Sequence, residues 1–224
     1  NEPGAGLLTG AIRAIMAAQN CAVETAEAIM EQMEAANVTT QAFYQQLQTW
    51  IQPRCLVDKT PNYAYSLETL RQAEQKFDQP RYIHLVRHPF GMINSYVKNK
   101  SALGFLAHLR YLAPNGDLPS LFQLSSFAPE VVGEAIWLIM QENIRTFLAD
   151  ISCQRQLVIH FETLVHQPKH VLTQICAFLG LELHPAMLEP YAEQTIRMTN
   201  GVNASNMMVG DFKFHQHSSI ESSV

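Results

Sequence analysis

Tyr82-Ile83-His84-Leu85-Val86-Arg87-His88-Pro89-Phe90-Gly91-Met92-Ile93-Asn94-Ser95-Tyr96 is the stretch whose reading decides the fold. Its first five residues form a near-continuous apolar run, which predicts a strand buried on both faces. Pro89 suits the first turn of a helix, and Phe90, Ile93 and Val97 recur at the spacing of one buried stripe. Between strand and helix stands Arg87. Unsatisfied amides at a helix start favour an anion, and a guanidinium beside them can hold two phosphate oxygens at once. Ser95, eight residues on and within the same helix, offers a hydroxyl donor. From spacing alone the turn reads equally well as a phosphate site or as an Arg87–carboxylate pair beside an ordinary surface serine.

Working outward, Arg54–Asp58 and Leu157–Phe161 repeat the short apolar texture of a strand. Each strand is followed by helical spacing. Ser66 can cap a helix carrying Glu68 and Glu74. Val132, Ile136, Ile139, Met140, Ile144 and Phe147 mark the inner stripe of a long helix. Pro168 opens another, with Val171, Ile175 and Phe178 inside and Gly180 at its end. A last helix is expected from about Pro185 to Thr195. Three alternations of strand and helix predict an α/β fold, a parallel sheet with helices on both faces. Residues 1–52 read instead as helices alone, with Thr39 or Thr40 capping the third. Leu112–Ser126, rich in proline, asparagine and glycine, reads as a loop, and the tail from Met198 is irregular and polar. In open parallel sheets, ligands bind beyond the carboxyl ends of the strands. That rule singles out Asp58-Lys59-Thr60, Arg87-His88 and the loop after Phe161.

The chain of 224 residues carries a formal net charge of −5, which gives no general attraction to nucleic acid or an anionic membrane. Any anion site must therefore be local. No apolar run reaches membrane-spanning length. The four cysteines, Cys21, Cys55, Cys153 and Cys176, are dispersed; they suggest neither a zinc site nor a disulfide framework. A reducing, cytoplasmic setting is expected. Asn1 is not a starting methionine and the sequence stops directly after a motif-like stretch, so both ends look cut. Neither the dinucleotide fingerprint nor the phosphate loop of glycines, lysine and serine or threonine is present. Lys59 follows a predicted strand and can hold a phosphate or a leaving anion, or be a solvated turn residue. His215 and His217 suit proton transfer; with no third ligand nearby in sequence, no metal is expected. His84 and His160, inside apolar strands, read as hydrogen-bonded core residues.

Together these stretches resemble sulfotransferases that use 3′-phosphoadenosine-5′-phosphosulfate (PAPS). Tyr82–Tyr96 is similar to the family's 3′-phosphate segment, which pairs a strand-end arginine with a serine eight residues later and a proline two after the arginine. Val57-Asp58-Lys59-Thr60-Pro61-Asn62-Tyr63 resembles the lysine–serine/threonine–proline–x–tyrosine loop of carbohydrate and related sulfotransferases. Ile159–Val165, Pro168 and Phe178-Leu179-Gly180-Leu181 resemble the closing strand and helix. The likeness is greater still to the sulfotransferase domains of bacterial, notably cyanobacterial, modular polyketide synthases, and there it includes Met198-Thr199-Asn200-Gly201 and Gly210–His217.

The resemblance implies a P-loop-like sulfotransferase fold in a single domain over residues 1–224. Within it, 1–52 form a lid-like helical insertion and 53–224 the core. It implies PAPS as donor, adenosine 3′,5′-bisphosphate as product, and Arg87 and Ser95 as ligands of the 3′-phosphate. Lys59 would stabilise charge on the bridging oxygen, and His217, with His215 close behind, would be the base; Asp58 and Glu162 are the carboxylate alternatives. The implied acceptor is the β-hydroxyl of a chain on acyl carrier protein, with a thioesterase domain then forming a terminal alkene. No segment matches the family's serine/glycine/threonine-rich loop for the 5′-phosphosulfate, so the chain is expected to carry the 3′-phosphate side of the site. The competing readings are a sulfotransferase of carbohydrate or small-molecule hydroxyls, a small-molecule kinase, which would normally need the missing phosphate loop, and a non-catalytic docking domain for a carrier protein.

Overall fold

Helices, two short strands and their connections make up the computed structural model, which describes residues 5–98, 128–192 and 217–220. The predicted loop at Leu112–Ser126, the stretch Met198–Gly201 and the tail segment containing His215 lie outside the described residues. The chain divides into two compact units: Asn1–Lys59 with Pro190–Ser219, and Thr60–Glu189 with Ile220–Val224.

In the first unit, α1 (Ala5–Gln19), α2 (Val23–Ala35) and α3 (Thr40–Ile51) pack on one another. Thr39, rather than Thr40, caps α3 by accepting the Ala42 N–H at 3.2 Å. Ile15, Ala26 and Leu47 are buried together, with Phe43, Trp50 and Leu56 against them. The strand expected at Arg54–Asp58 is not formed; the segment runs irregularly after α3. Only Leu56 turns into the helical core, while Val57 is 67% exposed. Gln48 instead satisfies this backbone, donating to the Arg54 carbonyl at 2.9 Å and accepting the Leu56 N–H at 3.0 Å. A strand needs a ladder partner for these groups; here a side chain supplies one.

The second unit begins with a 3₁₀ turn, Pro61–Tyr65, and α4 (Leu67–Lys76), capped by Ser66 as expected. β1 (Tyr82–Val86) leads into α5 (Pro89–Lys98), and α6 (Pro129–Ala149) returns across the sheet. β2 (Gln156–His160) starts one residue before the predicted strand and ends one residue earlier. It is followed by α7 (Phe161–His166), α8 (Pro168–Leu179) and a 3₁₀ turn at Pro185–Leu188, where a helix to Thr195 was expected. Gly180 ends α8 with φ +73°, the left-handed conformation glycine adopts without strain.

β1 and β2 pair in parallel, Tyr82 opposite Gln156 through Val86 opposite His160. Alternation along the strands sets Tyr82 and His84 toward α6 and Ile159 toward α8, so helices lie on both faces. The expectation that β1 is buried on both faces does not hold among the described residues: Ile83 is 38% and Leu85 49% exposed. Ile139, predicted to face inward on α6, is exposed as well. Leu70, Phe147, Leu148 and Ile151 form the core on the α6 side, with Tyr82 edge-on to Phe147 at 4.9 Å between ring centres. Two polar devices close it. Gln156 donates to the carbonyls of Leu148 and Ile151 at 2.9 and 2.6 Å, satisfying the end of α6. Arg155 grips both oxygens of Glu74, at 2.6 and 3.2 Å, while the Tyr82 hydroxyl donates to the same carboxylate at 2.8 Å.

Candidate functional site

The strand register builds the site. Val86 and His160 are opposite one another at the carboxyl ends of β1 and β2, so the next residues, Arg87 and Phe161, emerge as neighbours, as do His88 and Glu162. The Arg87 guanidinium lies over the Phe161 ring, 4.6 Å from its centre, a favourable cation–π distance. The His88 N–H donates to Glu162 Oε1 at 2.8 Å. From α6, Trp137 Nε1–H donates to the Arg87 carbonyl at 3.2 Å. The turn is thus fastened from both neighbouring elements, and the half-buried Arg87 side chain extends along the first turn of α5, where its Nε would stand 3.0 Å from a Cβ on Gly91.

This arrangement explains the spacing of eight. Gly91 lies four residues after Arg87, and Ser95 four after Gly91, one helical turn further along the same face of α5. Ser95 is half-buried there. The geometry suits an anion held by a guanidinium and a hydroxyl. The amides expected to assist are largely committed. The Phe90 N–H donates to His88 Nδ1 at 3.3 Å, and the Gly91 and Met92 N–H groups donate to the His88 carbonyl at 3.0 and 3.2 Å. The turn therefore offers side-chain donors where the sequence had suggested backbone ones.

The carboxylates are engaged too. The His88 N–H holds the Glu162 carboxyl below the usual carboxylate range, with the nearby positive charges of His88 and Arg87 adding to it. Toward Arg87 the Glu162 carboxylate acts only through its charge; its hydrogen bond goes to the His88 backbone. Asp58 Oδ2 accepts the Tyr44 hydroxyl at 3.0 Å within the first unit. Lys59 is exposed at the end of the irregular segment of that unit, not at a strand end. His217 is half-buried, its ring centre 6.4 Å from that of Tyr191. His215 lies outside the described residues.

Of the two strand histidines expected in the core, His160 departs from that reading and His84 meets it in part. His160 is exposed at the end of β2. His84 interacts with Gln141, but its buried Nε2 has no partner among the described residues, and burial pushes its pKa down. Sequence reasoning missed Phe161, Gly91 and Trp137. For Phe161 a signal existed: it follows β2 as Arg87 follows β1. Among the described residues, no group of three or more histidine, cysteine, aspartate or glutamate side chains could hold a metal ion, and no helix is long and apolar enough to cross a membrane.

Comparison with known proteins adds the following. The family described as "Sulfotransferase family" matches residues 7–185. The solved structure of the "Sulfotransferase Domain from the Curacin Biosynthetic Pathway" superposes with a TM-score of 0.78 at 34% identity, covering 96% of this chain and 69% of that one. The "Sulfotransferase Domain from the Synechococcus PCC 7002 Olefin Synthase" gives 0.72 at 31% identity, covering 96% of this chain and 65% of that one. The chain thus spans about two thirds of the length of these neighbours. No curated protein matches it.

Proposed function

The chain belongs to the sulfotransferase family, and from that premise we propose that it uses PAPS to sulfate the β-hydroxyl of an acyl chain carried on acyl carrier protein. The observation that carries the donor half is the Arg87 turn: a guanidinium fixed at the carboxyl end of paired parallel strands, with Ser95 on the same helix face. These residues fit a phosphate monoester, since a planar guanidinium takes two oxygens and a hydroxyl donates to a third. Arg87 and Ser95 would hold the 3′-phosphate, and bound PAPS supplies an activated sulfuryl group.

The acceptor is inferred from the neighbours, which are described as domains of the curacin pathway and of an olefin synthase. These origins support a carrier-bound substrate, a neighbouring thioesterase and a terminal alkene as the eventual product. In the proposed reaction the acceptor oxygen forms the new bond to sulfur as the bond from sulfur to the bridging phosphate oxygen breaks. The hydroxyl proton passes to His217, or to His215, and Lys59 offsets charge on the bridging oxygen. A domain over residues 1–224, with 1–52 as a lid-like insertion, accords with this reading. So does a cytoplasmic location, where carrier-bound intermediates are made.

Calorimetry with adenosine 3′,5′-bisphosphate tests the donor half. In the full-length protein Arg87→Ala is expected to weaken binding by at least tenfold, the size of a lost charge-assisted pair. Equal affinity in both proteins would end the 3′-phosphate reading. His217→Ala should keep that affinity and lose most turnover on a β-hydroxyacyl carrier substrate; turnover at the parent level would remove His217 from the role. Turnover of a free sugar in preference to the carrier substrate would favour the carbohydrate reading.

A further inference from the structure

We propose that Gly91 and Phe161 are positioning residues, the two walls of a slot that holds the Arg87 guanidinium flat and aimed. The proposal rests on Arg87 being the ligand of the 3′-phosphate. One wall is the Phe161 ring, 4.6 Å from the guanidinium carbon. The other is the backbone of α5: a Cβ on Gly91 would meet Nε at 3.0 Å and both Cζ and Nη2 at 3.5 Å. Nε is the nearest of the three atoms, so the Nε–Nη2 side of the guanidinium lies against the helix at this point.

Gly91 is not there for its backbone freedom. Gly180 is the one described glycine with positive φ, and glycine inside a helix is a poorer choice than alanine. What its missing side chain leaves room for is Arg87. The two ends of Arg87 are fixed as well: Trp137 holds its carbonyl, and Glu162 holds the next N–H. A long, flexible side chain is thus ordered before any ligand arrives, so less freedom is lost when it binds an anion. Phe161 acts in the same sense, since a cation over a ring is held in place while its N–H edge stays available.

The test compares two nucleotides in the full-length protein by calorimetry: adenosine 3′,5′-bisphosphate and adenosine 5′-phosphate, which lacks the 3′ group. Gly91→Ala and Phe161→Leu are each expected to cut the preference for the bisphosphate about tenfold, as losing a partly desolvated cation–π contact or displacing its cation would. Binding of adenosine 5′-phosphate should not change. Tm should be unchanged or higher for Gly91→Ala, because alanine favours the helix, and Phe161→Tyr, which keeps the ring, should keep the preference. If Arg87→Ala abolishes the preference while Gly91→Ala and Phe161→Leu retain it, the slot is wrong and the 3′-phosphate reading stands. If Arg87→Ala retains it, both fall. Equal weakening of the two nucleotides by the wall variants would mark general damage and overturn the proposal.

Discussion

At the scale of single residues, Glu162 has a job distinct from the base it was weighed as. Its carboxylate accepts the His88 N–H, and removing it unfastens the turn beside Arg87, leaving that exposed N–H to water. Glu162→Ala is therefore expected to weaken adenosine 3′,5′-bisphosphate binding about three- to tenfold, whereas Glu162→Gln, which keeps an acceptor oxygen, loses less. Because the folded carboxyl lies below its ordinary value, this contact is fully present above about pH 4.3 and is lost as pH falls through the lowered value. Nucleotide affinity measured between pH 7 and 5 should show no step from it. His84 behaves differently. Burial lowers its pKa, so on acidification the unfolded chain takes up a proton before the folded one does, and stability declines below about pH 6.5. His160, on the same sheet face, adds to the lowering, and Gln141 opposes it. His84→Leu should flatten the fall in Tm between about pH 7 and 5, as scanning calorimetry at several pH values would reveal. An unaltered slope would mean that another group governs it.

At the scale of elements, stop and start signals were the most legible feature of the chain. Ser66 caps α4, Pro89 opens α5, Pro168 opens α8, and Gly180 closes α8. Such signals act over one turn, so local sequence suffices to predict them. Ser66→Ala should cost about 1 kcal/mol and Gly180→Ala about 1–2 kcal/mol, since a Cβ is strained in the left-handed region; urea unfolding measures both. Strands were harder. The apolar run at Arg54–Asp58 has the texture of the two real strands, but Leu56 spends its side chain in a helical core and Gln48 takes up the backbone groups. A strand exists only if a partner does, and the partner is distant in sequence.

At the scale of the molecule, each unit has its own buried cluster: Ile15, Ala26 and Leu47 in one, Leu70, Phe147, Leu148 and Ile151 in the other. Phe147→Ala should destabilise the second unit by about 3–5 kcal/mol, because Tyr82 and Leu70 would line a cavity they cannot fill. Near it, the Glu74–Arg155 pair joins α4 to the start of β2 and shares Glu74 with Tyr82. Arg155 and Tyr82 together hold the Glu74 carboxyl below its usual range, Arg155 contributing most. Arg155→Met should lower Tm by several degrees, and the double change with Glu74→Met should recover part of that loss, because breaking one side strands the other charge. Thermal unfolding of the two variants decides it; no recovery would mean the pair matters for more than mutual neutralisation.

By itself the sequence determined the alternation of strand and helix in the second unit, the ends of most helices, and the placing of Arg87 before α5 with Ser95 two helical turns on. These follow from periodicity and from residues whose backbone preferences act locally. Only the tertiary structure decided what surrounds Arg87. The parallel register that sets Val86 against His160 brings Phe161 and Glu162 beside a turn more than seventy residues earlier. The first-turn amides of α5, available on paper, are taken by His88, while the room at Gly91 is occupied by Arg87 itself. Contacts of that kind depend on which strands pair and in what register, a choice made by the whole core rather than by any stretch within it.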